Sequence, residues 1–369
     1  MRTGRLQTAR VTTTHAIARW RFASQRLAEP HAASAAAVVA DLLAVQAENR
    51  GQAAWATATR TLHADASDLS GLLDSGAVVR THVLRPTWHF VAAADVGWLL
   101  DITAPRVRPT FLRQLTDQGW SVADLDRTLT AVVDALTARP DLTREQLAAE
   151  VAERGLTLSG RELMLLLGLA ELDRLVCSGR WSADGHTYAL FADRVAPGPR
   201  PDRNEALAEL ARRYFTGHGP ATERDLAYWA TLTLGDVRRG LAGARDRLDC
   251  FEHQGRTFWH AAGTAGPAGR QHPTAHLLQI LDETYRGYQD SRMLLDVAGI
   301  VPRGRETAIG MAVVDAQLVG RMKRTVAARA RFDVVTYRPL TAGEVDALED
   351  AAARYAAFLG VDHELRLLQ

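Results

Sequence analysis

Three observations predict an α+β chain, mainly helical, with three tandem winged helix-turn-helix modules, a C-terminal antiparallel sheet or barrel, and a closing helix. The middle of the chain repeats one plan of capped helices and a hairpin. Strand-type alternation takes over beyond residue 276. The last long apolar pattern is again helical, set between a cap at Thr341 with Glu344 and a stop at Gly360.

In the first copy of the repeat, "LDRTLTAVVDALTAR" has a helical apolar period and is stopped by Pro140. "LTREQLAAEVAERG" then opens with Thr143 and Gln146 at capping-box spacing, where each side chain can satisfy a backbone N–H that the helix leaves unpaired. "SGRELMLLLGLAELDR" opens the same way with Ser159 and Glu162. The β-type runs "LVCSGRWSA" and "HTYALF" follow, broken around Asp184 and Gly185. The second copy runs "RNEALAELARRYFTGHGP", "TERDLAYWATL" and "TLGDVRRGLAGARDRL", with Thr222 and Asp225, then Thr233 and Asp236, at the cap spacing. Its hairpin "DCFEHQGRTFWH" folds back through Gly255.

A more divergent copy occupies residues 10–95, with helices in "THAIARWRFASQRLAEP" and "AASAAAVVADLLAV", then "DLSGLLDSG" before the β-type "VVRTHVLRPTWHFVA". Near the C-terminus "MAVVDAQLVGRMKRT" and "ARFDVVTYRPL" alternate as strands. The expected boundaries are 1–120, 121–200, 201–275 and 276–369, and "RVAPGPRPDRN" at 194–204 is the best joint.

Composition excludes several classes. Among 369 residues no apolar run approaches the roughly 20 needed to span a bilayer, and "MRTGRLQTARVTTTHAIARWRF" lacks the apolar core of a signal peptide, so a cytoplasmic protein is expected. Cys177 and Cys250 lack the paired spacing of metal ligands, so no metal or cofactor is expected. The net charge is +1, yet residues 1–120 carry 13 basic and 9 acidic side chains and 276–340 carry 10 and 7, around an acidic middle. If the two basic ends meet, they form one positive groove. Lys323 is the only lysine, so nearly every positive charge is an arginine, the better planar fork for phosphate.

In "LLAVQAENRGQAAWA", residues 42–56, an alanine-rich helix gives way to Gln46, Glu48, Asn49 and Arg50 before a glycine. In a helix the side chains of Gln46 and Glu48 would diverge, but in an extended segment residues i and i+2 share one face. If the helix ends there, an amide and a carboxylate converge on one point. The plain structural alternative is a helix end whose polar residues meet water.

This stretch, with "VVRTHVLRPTWHFVAAADVGWLL", "LLQILDETYRGYQDSRMLLD" and "MAVVDAQLVGRMKRT", resembles the winged-helix family that includes the AlkZ-like and YcaQ-type DNA glycosylases. The resemblance runs over nearly the whole chain, in the family's order. It implies tandem winged helices and a C-terminal β-barrel bent into a C-shaped cradle for double-stranded DNA. It also implies a DNA glycosylase that excises alkylated, often bulky bases and unhooks crosslinks, with alkylated purines the leading substrates. Because Lys323 is the sole lysine available to form a Schiff base, a monofunctional enzyme that uses water is expected. The family's catalytic signature, Gln-x-Gln or Gln-x-Asp, falls on Gln46 and Glu48, which makes these the catalytic candidates. Two departures stand out: the chain reads Gln-Ala-Glu, and Met322 sits where the family usually has tryptophan. The alternative function is a non-catalytic winged-helix DNA-binding protein or transcription regulator. A protein-binding scaffold is the third.

The nucleic-acid-binding candidates are Arg50; Arg80, His82, Arg85 and His89 in "RTHVLRPTWHF"; Arg292 in "DETYRGYQDSR"; and Arg321, Lys323 and Arg324 in "GRMKRT". Asp282, Tyr288 and Asp290 suit either a brace between modules or a backbone contact. The helix at 159–174 carries Glu162, Glu171 and Asp173, which makes it a poor groove reader and points to a scaffolding role. A monomer is expected.

Overall fold

The computed structural model describes residues 13–180, 182, 184–268, 272–302 and 310–368. The first twelve residues, read above for a leader, lie outside them. The chain is about half helical. It opens with α1 (Thr14–Ser24), α2 (Ala35–Leu42), β1 (Ala44–Gln46), α3 (Arg50–Ala58), α4 (Ala66–Ser75), β2 (Val78–Val83) and β3 (Arg85–Ala92). The four helices start on Thr13, Ser34, Asn49 and Asp65, whose side-chain oxygens each accept a first-turn N–H. The strands pair antiparallel in the order β1-β3-β2, so β3 is central. α5 (Ala93–Thr116) follows without a loop and continues through Pro105 and Pro109.

Next come α6 (Val122–Ala138), β4 (Leu142–Thr143), α7 (Arg144–Glu153), α8 (Gly160–Leu172), β5 (Val176–Ser178), β6 (Thr187–Leu190) and the short α9 (Phe191–Arg194). The expected capping boxes form at Thr143 with Gln146 and at Ser159 with Glu162, and another forms at Ser121 with Asp124. The expected hairpin is a three-stranded sheet ordered β4-β6-β5, because Leu142 and Thr143 add an edge strand. α8 is buried from Leu165 to Leu172 and packs on α5 and β2, so it is not offered to a groove.

The following unit is α10 (Arg203–Gly217), α11 (Glu223–Trp229), α12 (Leu234–Gly243), β7 (Leu248–His253) and β8 (Arg256–Ala261). Its hairpin turns at Gly255 with φ of 73°, a left-handed conformation that a side chain would strain.

The last region holds β9 (Ala275–Leu278), α13 (Glu283–Arg286), β10 (Gly310–Val314), β11 (Gln317–Val326), β12 (Arg329–Thr336), α14 (Ala342–Leu359) and β13 (Asp362–Leu368). Here the barrel expected from the sequence is corrected. The strands form one open sheet, β13-β12-β11-β10-β9, and β13 runs parallel to β12, so the sheet is not wholly antiparallel. Closure would require β9 to pair with β13. Instead α14 lies across the sheet between them, and Leu348, Ala352 and Tyr355 fill its face together with Trp55 of α3. The C-terminal helix is therefore not the last element; "DHELRLL" is a strand.

The regions share interiors. One apolar cluster runs from Leu43 through Leu99, Leu166, Tyr214 and Trp229 to Tyr288, so the packing is continuous across the boundaries expected from the sequence. Among the described residues no helix is long and apolar enough to cross a membrane.

Candidate functional site

Gln46 is the last residue of β1, and Glu48 lies in the bend before α3. The helix before them ends at Leu42, and Leu43 takes φ of 65° to turn the chain into the strand. α3 restarts only when the Asn49 side chain caps Gln52 N. The motif is therefore extended, between two helices. The Glu48 amide donates to Gln46 Oε1 at 3.4 Å, so the two side chains share one short segment. Gln46 is buried and Glu48 exposed. Glu48 Oε2 accepts the Trp88 amide at 3.4 Å, which sets the carboxylate beside the half-buried Trp88.

Two buried groups hold this segment. Arg80 donates Nε to Ala47 O at 2.9 Å and a terminal nitrogen to Glu48 O at 3.1 Å, with its guanidinium 4.2 Å from the Trp88 ring centroid. Expected as a phosphate contact, Arg80 instead clamps the motif's carbonyls from inside. On the other side the Gln46 amide donates to Glu283 Oε1 at 2.9 Å. Glu283 Oε2 accepts Trp229 Nε1 at 2.9 Å and His218 Nε2 at 3.3 Å, and Arg85 stands 3.9 Å from Oε1. Burial alone pushes this carboxyl up, but the His218 bond and the Arg85 charge outweigh it and hold the group at about 2.

Gln46 pairs with His89 across β1 and β3, and Arg85 and Thr87 alternate onto that same face. His89 is wholly buried. Its Nδ1 lies 2.9 Å from Thr87 O and its Nε2 3.3 Å from an Arg85 nitrogen. A carbonyl only accepts and a guanidinium only donates, so Nδ1 carries the proton and the ring is neutral. Burial, then the Arg85 charge, push the ring down to about 3.

His82 points the opposite way, against the buried carboxylate of Glu171 on α8, which also accepts its backbone amide at 2.8 Å and Trp88 Nε1 at 3.1 Å. The acidic helix thus supplies the brace of the β2–β3 hairpin. Arg50 is half-buried next to Arg80, where burial and that neighbouring charge push its guanidinium down to about 10.

Beside Gln46 opens a cavity of about 550 Å³. Its wall includes Gln46, Arg85, Thr87, Arg106, Tyr228 and Arg286, and every charged residue lining it is an arginine. Glu48 is not part of this wall. Arg292 stands behind, 5.6 Å from the Tyr228 ring centroid, and donates to Tyr285 O and Tyr288 O. The Tyr228 hydroxyl is pushed up by burial, yet its bond from Arg286 and the charge of Arg85 bring it below its ordinary value.

The remaining candidates lie on the C-terminal sheet. Lys323 is exposed on β11 with Arg321 on the same face, while Arg324 alternates to the other face and reaches the Tyr355 hydroxyl. Asp282 forms a buried bidentate pair with Arg60, at 2.8 and 3.0 Å, that ties the C-terminal region to the turn after α3. Sequence reasoning passed over Glu283, Tyr228, Arg106 and Arg286, and counted Glu171 only as one of the acidic residues that make its helix a poor groove reader. Glu283 and Arg286 stand inside the quoted "DETYRGYQDSR", but nothing in spacing marks them, since their partners lie far away in the chain.

Among the described residues, no cluster of histidines, cysteines and carboxylates could hold a metal ion. The class of the protein follows from the match of a family model, DNA glycosylase AlkZ-like, to residues 39–358. The chain belongs to the AlkZ-like DNA glycosylase family, and its class is therefore that of an enzyme acting on DNA. The solved structure of the Streptomyces sahachiroi DNA glycosylase AlkZ shares its fold, with a TM-score of 0.76 over 96% of this chain and 99% of that one, at 21% identity. No curated protein sequence matches the chain.

Proposed function

We propose that the chain is a monofunctional DNA glycosylase that removes alkylated purines from double-stranded DNA by water attack, with Gln46 and Glu48 as its catalytic pair. The observation that carries this reading is the extended segment at 46–48, where a clamped backbone joins a carboxylate at the surface to an amide in the wall of an arginine-lined cavity. Excision breaks the C1′–N bond through an oxocarbenium-like sugar. The leaving base takes the bonding electron pair, which neutralises the positive charge that alkylation at N3 or N7 gave it, so no strong general acid is required. Glu48 faces the developing cation, accepts a proton from water and leaves hydroxide to bond C1′; Gln46 holds that water or the sugar.

In this reading the helix–sheet units over 1–120, 121–200 and 201–275 are winged-helix modules serving chiefly as scaffold, and the protein acts as a monomer in the cytoplasm. Arg321 and Lys323 touch phosphates from the C-terminal sheet. Glutamate in place of aspartate keeps the carboxylate and sets it about 1.5 Å further out.

The test is incubation with duplexes carrying N3- or N7-alkylated and bulky purine adducts, followed by alkali to cleave abasic sites. Strand breaks at the adduct are expected. Their absence with every adduct, alongside salt-sensitive DNA binding, would make the chain a non-catalytic DNA-binding protein.

A further inference from the structure

The cavity beside Gln46 is poorly suited to the damaged base itself. Arg85, Arg106 and Arg286 reach it from β3, α5 and α13, and no carboxylate lines it among the described residues. A purine alkylated at N3 or N7 is a cation, and a pocket ringed by guanidinium groups repels it. Two buried polar atoms in this wall, Arg286 Nε and Thr87 Oγ1, have no hydrogen-bond partner. Both can donate. Such a set of donors awaits an anion with several acceptor oxygens.

We propose that this cavity binds a backbone phosphodiester next to the target nucleotide, and that the alkylated base lies on the other side of the motif, by Glu48 and Trp88. Gln46 then stands between phosphate and sugar, which fixes the register of the strand at the reacting carbon. Arg85 is partly neutralised by the buried Glu283, so Arg106, which is exposed and donates Nε to Thr231 O, and Arg286 carry the attraction. Tyr228, drawn toward Arg286, adds a hydroxyl donor at the same point. The assignment rests on the reading of the 46–48 segment as a DNA-processing site, but not on its chemistry.

The experiment measures binding rather than excision, so its failure is distinguishable from failure of the catalytic reading. The probe is a duplex with a tetrahydrofuran abasic-site analogue, titrated between roughly 50 and 200 mM salt. Arg106→Gln and Arg286→Gln should each weaken binding about tenfold and reduce the salt slope by about one, with thermal melting unchanged. Arg286→Lys should restore the slope but not the full affinity, because a point charge lacks the planar fork. A scan of single methylphosphonates around the analogue should then find one position where neutralisation weakens the wild type and costs Arg286→Gln nothing further. Unchanged salt slopes, or penalties that add at every position, would overturn the assignment. So would binding of inorganic phosphate in the cavity that leaves duplex affinity untouched, which would mark a free-anion site.

Discussion

The backbone amide of Gln46 and the carboxylate of Glu283 meet at 2.9 Å across 237 residues of chain. Through that one carboxylate, β1 is joined to Trp229 of α11 and to His218 at the end of α10. The position of the candidate catalytic amide is therefore set by a residue from the opposite end of the sequence.

Replacement of Glu283 should disturb both stability and chemistry. Glu283→Gln leaves an amide nitrogen facing either the Gln46 amide or the Trp229 and His218 donors together, and strips Arg85 of its counter-charge. The expected loss is about 3 to 5 kcal/mol, the usual cost of breaking a buried charged pair. Urea unfolding reads it, and excision should fall with it; an unchanged midpoint would show that the carboxylate is not needed.

Acidification should weaken the fold in two limbs. The His89 ring lies near 3, below its ordinary 6.5, because burial favours the neutral form; its contribution is complete above 6.5 and is lost as pH falls toward 3. Glu283, at about 2 against an ordinary 4.5, contributes fully above 4.5 and loses that contribution as pH falls toward 2. Each group adds a slope of up to about 1.4 kcal/mol per pH unit within its window. Unfolding measured from pH 8 downward should stay flat to about 6.5 and then decline, and His89→Gln should make the decline between 6.5 and 4.5 shallower without abolishing it, because burial also holds the His186 and His260 rings below their ordinary value. A decline that begins only below 4.5 in the wild type would show that His89 is not buried as a neutral ring.

Gln46→Ala should slow excision by about two orders of magnitude, and Glu48→Gln should slow it by less, because that variant has the Gln-x-Gln form of the family's signature. Neither residue supplies positive charge, so affinity for a duplex with an abasic-site analogue should change by no more than about twofold. Equal loss of both quantities would reassign the pair to holding the fold.

Borohydride added during turnover should trap no covalent adduct. A strand-nicking glycosylase forms a Schiff base, which requires a nucleophilic amine, and Lys323 is the only lysine in the chain. Arginine cannot replace it, because the guanidinium stays protonated. An adduct that forms with wild type and disappears in Lys323→Arg would place the chemistry on β11 rather than at Glu48.

The sequence by itself determined the parts that depend on neighbours in the chain. The capping boxes at Thr143, Ser159, Thr222 and Thr341, the turn at Gly255 and the helix stop at Gly360 all form where the residues predict, because each is a contact within a few residues. The extended geometry at 46–48 is local only at its ends, where the left-handed Leu43 precedes it and the Asn49 cap follows; pairing with β3 and the Arg80 clamp hold the middle. Only the tertiary structure decided whether the C-terminal strands close, since that depends on what packs over the sheet, and α14 with Trp55 takes the place a closed barrel would need. It likewise decided which arginines face the cavity. Arg80 and Arg85 stand five positions apart in one hairpin, yet Arg80 is turned inward to the carbonyls of the motif while Arg85 lines the cavity beside Glu283. A side chain's type fixes what it can bond to; which partner it meets is set by packing between segments separated by hundreds of residues, and sequence spacing carries no record of that.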